Sequence, residues 1–373
     1  MLAIARVSVG RSVRVCADVV AERGWSARHV GGAPPDLTML HRMRALSLDI
    51  EVTRGEVVES VHRVHAAVVG PDEVLLAAAR DAELVTMWRS CAKFFQVMPF
   101  VASGGFDAVG WGTEELTLAC ASHGGEPEHL AVAARMLASV GLDEGDLACG
   151  PHEPLSARGA KLWRESGVAL TRLHNNCSGK HAAMLARAKT AGWSLHGYEG
   201  ADHPVQRDAL GEVSAWTGVP LDDMPVGVDG CGVAVMALPL ERMALAYARW
   251  ARAIAAEEPV PTRIAAAVRA HPQLLGGTER FDTLLLQETN GAIIAKVGAE
   301  GVHSVAVPSL GLGLALKVED GALRAQHAAV LVALQQLQVL PSELPPRLAE
   351  FVRKGIRNTR GAVVGELRPV AAV

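Results

Sequence analysis

The sequence predicts an α+β fold: one antiparallel sheet built from strands at both ends of the chain, flanking helices, and a helical lobe beside it. Two apolar runs, 61–69 and 74–79, flank the turn Gly70-Pro71-Asp72-Glu73, which reads as a β-hairpin. Far along the chain, 292–297, 302–307 and 312–318 are short apolar runs separated by Gly-rich turns, which reads as a meander of three antiparallel strands. The stretch between them reads as helices. The simplest closure joins both strand sets in one sheet and leaves a cleft between it and the helical lobe.

Residues 1–48 stand apart, with seven Arg, no Lys and a Gly-Gly-Ala-Pro-Pro break at 31–35. They look superficially like a transit peptide. The expectation is an extension without a fold of its own, disordered or the product of an over-long start, with Met39 and Met43 as alternative starts. Residues 49–373 are expected to form a single catalytic unit of two lobes. Within it, 90–103 has apolar residues at helical spacing and stops at Gly104-Gly105. Thr113-Glu114-Glu115 opens a helix expected to run to about Gly124-Gly125. Further helices are expected at 126–142, 179–191, 204–217, 239–256 and 261–270, and a last one at 323–337 before Pro341.

Composition narrows the classes. Half of the 373 residues are hydrophobic, 20% are charged and the net charge is −4, which excludes a disordered chain. The mixed charge argues against a nucleic-acid binder. No run approaches the roughly 18 apolar residues of a membrane span. Six scattered Cys without a C-x-x-C pair point to a reducing cytoplasm. Only seven of the 36 basic residues are Lys (93, 161, 180, 189, 296, 317 and 354), which marks them as candidate bases or ligands, since Lys can lose its proton and Arg cannot.

Three clusters carry chemistry. Arg89-Ser90-Cys91-Ala92-Lys93 is an S-x-x-K at a helix start. On a helix, i and i+3 share a face, so Lys93 with a lowered pKa could take the Ser90 proton and make it a nucleophile. Arg89 and the helix N-terminus both disfavour a protonated lysine there. Lys296-Val297-Gly298 lies on the first meander strand, and Ser122 in 120–126 is the serine that could couple to Lys296. Serine β-lactamases and penicillin-binding proteins combine S-x-x-K, a second Ser and K-T-G in this order. Here Val297 replaces Thr, which counts against a β-lactam substrate. The third cluster pairs 174–181 (HNNCSGKH) with 228–232 (VDGCG). Cys177 and Lys180 are again i and i+3, and Cys231 lies between glycines. Two thiolates and one nitrogen suit Zn²⁺ with an open position, although Lys is a rare zinc ligand; two ordinary buried thiols are the alternative.

Together these clusters resemble the asparaginase II family, zinc-binding L-asparaginases similar in fold to serine β-lactamases and glutaminases. The resemblance runs from about Val52 to Val370 and includes 62–69, 89–93, 121–127, 174–181, 228–232, 276–283, 298–302 and 315–321. It implies two Ser–Lys pairs, Ser90 with Lys93 and Ser122 with Lys296, in one active site. It implies zinc on Cys177, Lys180 and Cys231, and it implies that Arg89 and Asp229 orient the substrate. The implied reaction is hydrolysis of L-asparagine to aspartate and ammonia through an acyl-enzyme. The resemblance implies a small-molecule substrate; a homodimer is expected as the default for soluble enzymes of this kind, and composition argues against nucleic acid or membrane as partner. Cys91 and Phe94 depart from the small and proline residues the family more often shows after the serine, and Phe94 is expected to narrow the pocket or shift Lys93. The alternatives are a related amidase acting on glutamine or a β-lactam-like substrate, and a non-catalytic zinc-stabilised amino-acid-binding protein.

Overall fold

The computed structural model describes residues 43–370. Its strands are β1 (Arg44–Ala45), β2 (Ile50–Arg54), β3 (Val57–His62), β4 (Val64–Val69), β5 (Leu75–Ala79), β6 (Val85–Met87), β7 (Val226–Val228), β8 (Ala234–Pro239), β9 (Ile294–Val297), β10 (Val302–Val307), β11 (Leu312–Val318), β12 (Lys354–Arg357) and β13 (Val363–Pro369). The helices of seven or more residues are α1 (Lys93–Ala102), α2 (Thr113–Cys120), α3 (Pro127–Ser139), α4 (Ala157–Ser166), α5 (Ser178–Thr190), α6 (Pro204–Thr217), α7 (Leu240–Ala255), α8 (Pro259–Ala270), α9 (Phe281–Glu288), α10 (Leu323–Gln336) and α11 (Pro346–Val352). None is long and apolar enough to cross a membrane among the described residues.

The α+β class is the one observed. The central sheet has the order β1-β5-β4-β11-β10-β9. The hairpin strand β4 pairs antiparallel with the last meander strand β11, so both ends of the chain close one sheet. Only the short β1 runs parallel to its neighbour. Some limits follow local chemistry closely. In α6, Pro204 takes the first turn, where its missing N–H costs nothing, and Gly218 ends the helix at φ 69°.

The structure departs from the sequence reading in several places. The run 61–69 breaks at Arg63, so that β3 joins a second sheet of order β12-β13-β2-β3 while β4 enters the central one. A third sheet, β6-β8-β7, was not expected, nor were α4, α9 and α11. The helix from Thr113 stops at Cys120, because the chain turns extended at Ala121 and the Ser122 N–H is captured by the Leu275 carbonyl at 3.2 Å. The fold also begins earlier than residue 49. Arg44–Ala45 pairs with β5, and Leu46 and Leu48 are buried. The rest of the expected extension, 1–42, lies outside the described residues.

Both faces of the central sheet are buried. Alternation sends Val68, Leu314 and Leu316 to one side, with α9 and α10, and Ala67, Val69 and Ala315 to the other, where α7 packs. Residues on the α7 side are small because the helix lies close. A Cβ on Gly313 would sit 2.1 Å from the Ala244 carbonyl oxygen and 2.3 Å from the Ala248 nitrogen. The substitution Gly313→Ala forces helix and sheet apart. It is expected to destabilise the fold by about 2 kcal/mol or more, lowering the urea midpoint. An unchanged midpoint would contradict this packing.

Candidate active site

The site begins at the link from β6 to α1. Trp88 is fully buried and donates its indole N–H to Ser304 Oγ at 3.1 Å. It stacks on Phe95, with ring centroids 5.2 Å apart. The Tyr247 hydroxyl donates to the Cys91 carbonyl at 2.8 Å. These anchors pin both sides of a short 3₁₀ turn, Arg89–Ala92, that leads into α1. Arg89 takes φ 54°, a left-handed conformation that costs a non-glycine residue free energy and concentrates at functional sites. Its Nε donates to Asp229 Oδ1 at 2.6 Å. Burial raises the Asp229 pKa, but Lys180 and Arg89 outweigh it and hold the carboxyl below its usual value.

The centre of the site is Ser122. It lies in the extended segment after α2, 3% exposed, and two buried lysines reach its hydroxyl. Lys93 Nζ donates to Ser122 Oγ at 3.1 Å and Lys296 Nζ at 2.7 Å. Lys93 also donates to the Ala121 carbonyl and to Cys177 Sγ, the latter at 3.2 Å, so its three acceptors match the three N–H of an ammonium. Lys296 has a second acceptor, the Val297 carbonyl at 3.0 Å. Burial and the neighbouring Lys93 charge bring Lys296 down to about 8 against the pull of Asp282. Lys296 can therefore lose its proton near neutral pH, as a base for a hydroxyl must.

The expected Ser90–Lys93 hydrogen bond is absent among the described residues: α1 carries Lys93 inward to Ser122 instead. Ser90 is half-buried, and its hydroxyl faces the same cleft as Ser122. Lys296 is paired with Ser122, as the motifs implied. Asp282 supports the lysine's strand: it accepts from the Val297 N–H at 2.8 Å and lies 3.0 Å from His303 Nε2, an ion pair not aligned as a hydrogen bond.

The thiol cluster adjoins Lys93. Asn175 Oδ1 accepts from the Cys177 N–H at 2.9 Å, which sets Cys177 at the head of α5. Gly179 lets that helix approach α2: a Cβ there would meet the Leu118 carbonyl oxygen at 2.4 Å. Lys180 Nζ lies 3.2 Å from Cys231 Sγ, and both cysteines are free thiols. A hydrogen bond from Cys177 lowers Cys231 to about 5, with help from Lys180 and against burial. That same hydrogen bond and burial push Cys177 up to about 12. Burial works against the charge of Lys180, but Cys231, Cys177 and Asp229 outweigh it and raise its pKa. Among the described residues no three His, Cys, Asp or Glu side chains converge as a metal set. Cys177, Cys231 and Lys180 do converge, and their two sulfurs and one nitrogen fit a tetrahedral zinc ion once the protons they share are released.

These groups line a cleft of about 430 Å³. Ser90, Ser122, Arg89, Asp229, Cys177 and Cys231 all face it. Phe94 does not: its ring stacks on Trp250 at 4.6 Å, in the core, so it does not narrow the pocket. Cys91 also points inward, to the Lys296 carbonyl at 3.0 Å. The sequence reading missed His152, Asn175 and Arg280 on the cleft wall. Asn175 and Arg280 lie within motifs quoted for the resemblance, so the signal was present but had no role attached.

A family model described as L-asparaginase II matches residues 50–369. The chain belongs to the L-asparaginase II family. Membership makes it a hydrolase acting on amides, with a small-molecule substrate. No curated protein matches this family member. Among solved structures it is similar to a β-lactamase from Mycobacterium bovis, at 11% identity over 74% of this chain and 96% of that one, with a TM-score of 0.39. It is also similar to Mglu in its native form, at 16% identity over 75% of this chain and 65% of that one, with a TM-score of 0.34.

The thiol electrostatics can be read chemically. With a chelator present, limiting iodoacetamide at pH 7 should label Cys231 first. Burial pushes Cys91, Cys120 and Cys149 up to about 12, and Cys177 stands equally high, so all four stay thiols. Peptide mass mapping checks the order, and equal labelling of Cys177 and Cys231 would contradict it.

Proposed function

We propose that this L-asparaginase II family member hydrolyses L-asparagine to aspartate and ammonia through a serine-bound acyl intermediate. The observation that carries the reading is the convergence of Lys93 and Lys296 on Ser122, in a cleft that Ser90 shares. Ser90 is the more accessible hydroxyl, at the head of the turn leading into α1, and we assign it the attack on the side-chain amide carbon. Its proton passes to Ser122 Oγ as the Ser122 proton passes to neutral Lys296. Lys93 holds the intervening oxygen in place. Backbone N–H groups of the Ser90 turn face the developing oxyanion. The proton returns from Lys296 to the leaving nitrogen, ammonia departs, and an ester on Ser90 remains. Water then attacks that ester by the same proton route reversed, and aspartate leaves. Arg89 and Asp229 orient the α-substituents of the substrate. Zinc held by Cys177, Lys180 and Cys231 would supply a fixed positive charge beside the lysine pair. The homodimer and the cytoplasmic setting belong to the same proposal.

Ammonia release from L-asparagine, with L-glutamine and a chromogenic β-lactam beside it, tests the reading. Wild type is expected to turn over asparagine best. Ser90→Ala, Ser122→Ala and Lys296→Met are each expected to lose roughly 10³-fold in kcat. Binding of aspartate without any turnover would replace the enzyme with a binding protein, and preference for glutamine or the β-lactam would make it a different amidase.

The pH profile follows from Lys296. As a base it must be neutral, so protonation below about 8 removes activity. The value of kcat/KM is expected to rise tenfold per pH unit at low pH and level off above about 8. A profile flat from pH 6 to 9 would exclude Lys296 as the base.

A further inference from the structure

Arg280 stands just before α9, half-buried on the wall of the cleft. Its guanidinium makes no hydrogen bond or ion pair among the described residues. The other charges of the cleft wall are matched. Arg89 spends its charge on Asp229 at 2.6 Å, Glu153 lies 3.8 Å from Arg164, and Cys231 lies 3.2 Å from Lys180. The carboxylates with the strongest pull on Arg280 are Asp282 and Glu126, and both are committed elsewhere. Asp282 holds the Val297 N–H and faces His303. Glu126 accepts from Arg158 at 2.7 Å and from the Thr278 N–H and hydroxyl at 2.7 and 2.9 Å. Burial outweighs that pull and lowers the Arg280 pKa.

The backbone before Arg280 is shaped to hold it there. Gly277 adopts φ 123°, a conformation that favours glycine. A Cβ on it would press on Glu126 Oε1 at 2.9 Å and on Arg280 Cδ at 3.4 Å. The arginine stem therefore lies along a bare backbone where the residue lines the cleft. A partly buried guanidinium without a counter-ion is costly until an anion completes it. Its fork fits a carboxylate with two parallel hydrogen bonds.

We propose that Arg280 binds the α-carboxylate of the substrate, and so confines the site to free α-amino acids that carry a side-chain amide. This rests on the amidohydrolase reading. It leaves the Asp229 carboxylate, held in place by Arg89, to accept from the α-ammonium group. The role is specificity: Arg280 anchors one end of the substrate, makes no hydrogen bond to the lysine pair among the described residues, and reaches Lys296 only as one of the lesser charges that lower its pKa.

The test compares wild type, Arg280→Gln and Arg280→Lys on L-asparagine and on 3-aminopropanamide, which is the same amide without the α-carboxylate. A charged hydrogen-bonding pair of this kind is worth on the order of 10–100-fold in binding. Arg280→Gln is expected to raise KM for asparagine by about that factor, with a smaller change in kcat. Read on the high-pH plateau of each variant, where the Arg280 charge no longer acts through Lys296, kcat/KM for 3-aminopropanamide should stay within about threefold of wild type, a margin well inside the effect of losing a charged pair. Arg280→Lys should recover part of the asparagine KM. Calorimetric binding of L-aspartate should weaken in parallel. An unchanged asparagine KM and unchanged aspartate binding in Arg280→Gln would overturn the proposal. So would an equal loss on both amides with a lowered melting temperature, which would mark a structural role. If wild type releases no ammonia, the amidohydrolase reading falls by itself, and aspartate binding to wild type and Arg280→Gln still decides whether Arg280 is the anchor.

Discussion

Two ammonium groups share one buried hydroxyl, and much of the architecture serves that arrangement. Lys93 and Lys296 are 1% and 0% exposed, and both donate to Ser122 Oγ. Burying either cation costs several kcal/mol, and placing them together adds repulsion. The fold offsets this with acceptors. The Ala121 and Val297 carbonyls and Cys177 Sγ complete the hydrogen bonds, and Asp282 lies behind the strand of Lys296. What remains uncompensated appears as the lowered pKa of Lys296. A lowered pKa of this kind is what the proposed role of Lys296 as a base requires.

Placing these groups together requires both ends of the chain. Lys296 comes from the meander and Lys93 from the helix that follows the first hairpin, so the site forms only when β4 and β11 pair. Strand alternation puts Lys296 on the same face as Ser304, its partner across the ladder, and Ser304 in turn accepts from Trp88. The aromatic packing of Trp88, Phe95 and Tyr247 thereby ties the Arg89–Ala92 turn to the strand that carries the second lysine. Core packing and active-site geometry depend on the same contacts.

The scarcity of lysine was the most productive signal in the sequence. Of the seven, Lys93, Lys180 and Lys296 are buried around one cleft, where arginine could not stand in. The central sheet and most helices were legible because their periodicity is strong and their ends carry Pro or Gly, as at Pro204 and Gly218. The second sheet was not: β12 is largely exposed and β13 largely half-buried, Gly355 and Gly365 interrupt them, and neither shows a clear alternation. Spacing along a helix also misled. It placed Lys93 beside Ser90, whereas three acceptors brought from distant segments draw Lys93 to Ser122. Local patterns do not register partners supplied by tertiary structure, and for the same reason the lack of a partner for Arg280 among the described residues could not be read from its motif.

The shared hydroxyl can be observed without any assay of turnover. With so few lysines, ¹⁵N-lysine labelling resolves individual ζ-nitrogens in a pH titration. One resonance should titrate near 8, vanish in Lys296→Met, and move to higher pH in Lys93→Met, where the neighbouring charge is gone. A Lys296 resonance that titrates at the ordinary lysine value of about 10.4 and ignores the loss of Lys93 would show that the two lysines are not coupled through Ser122.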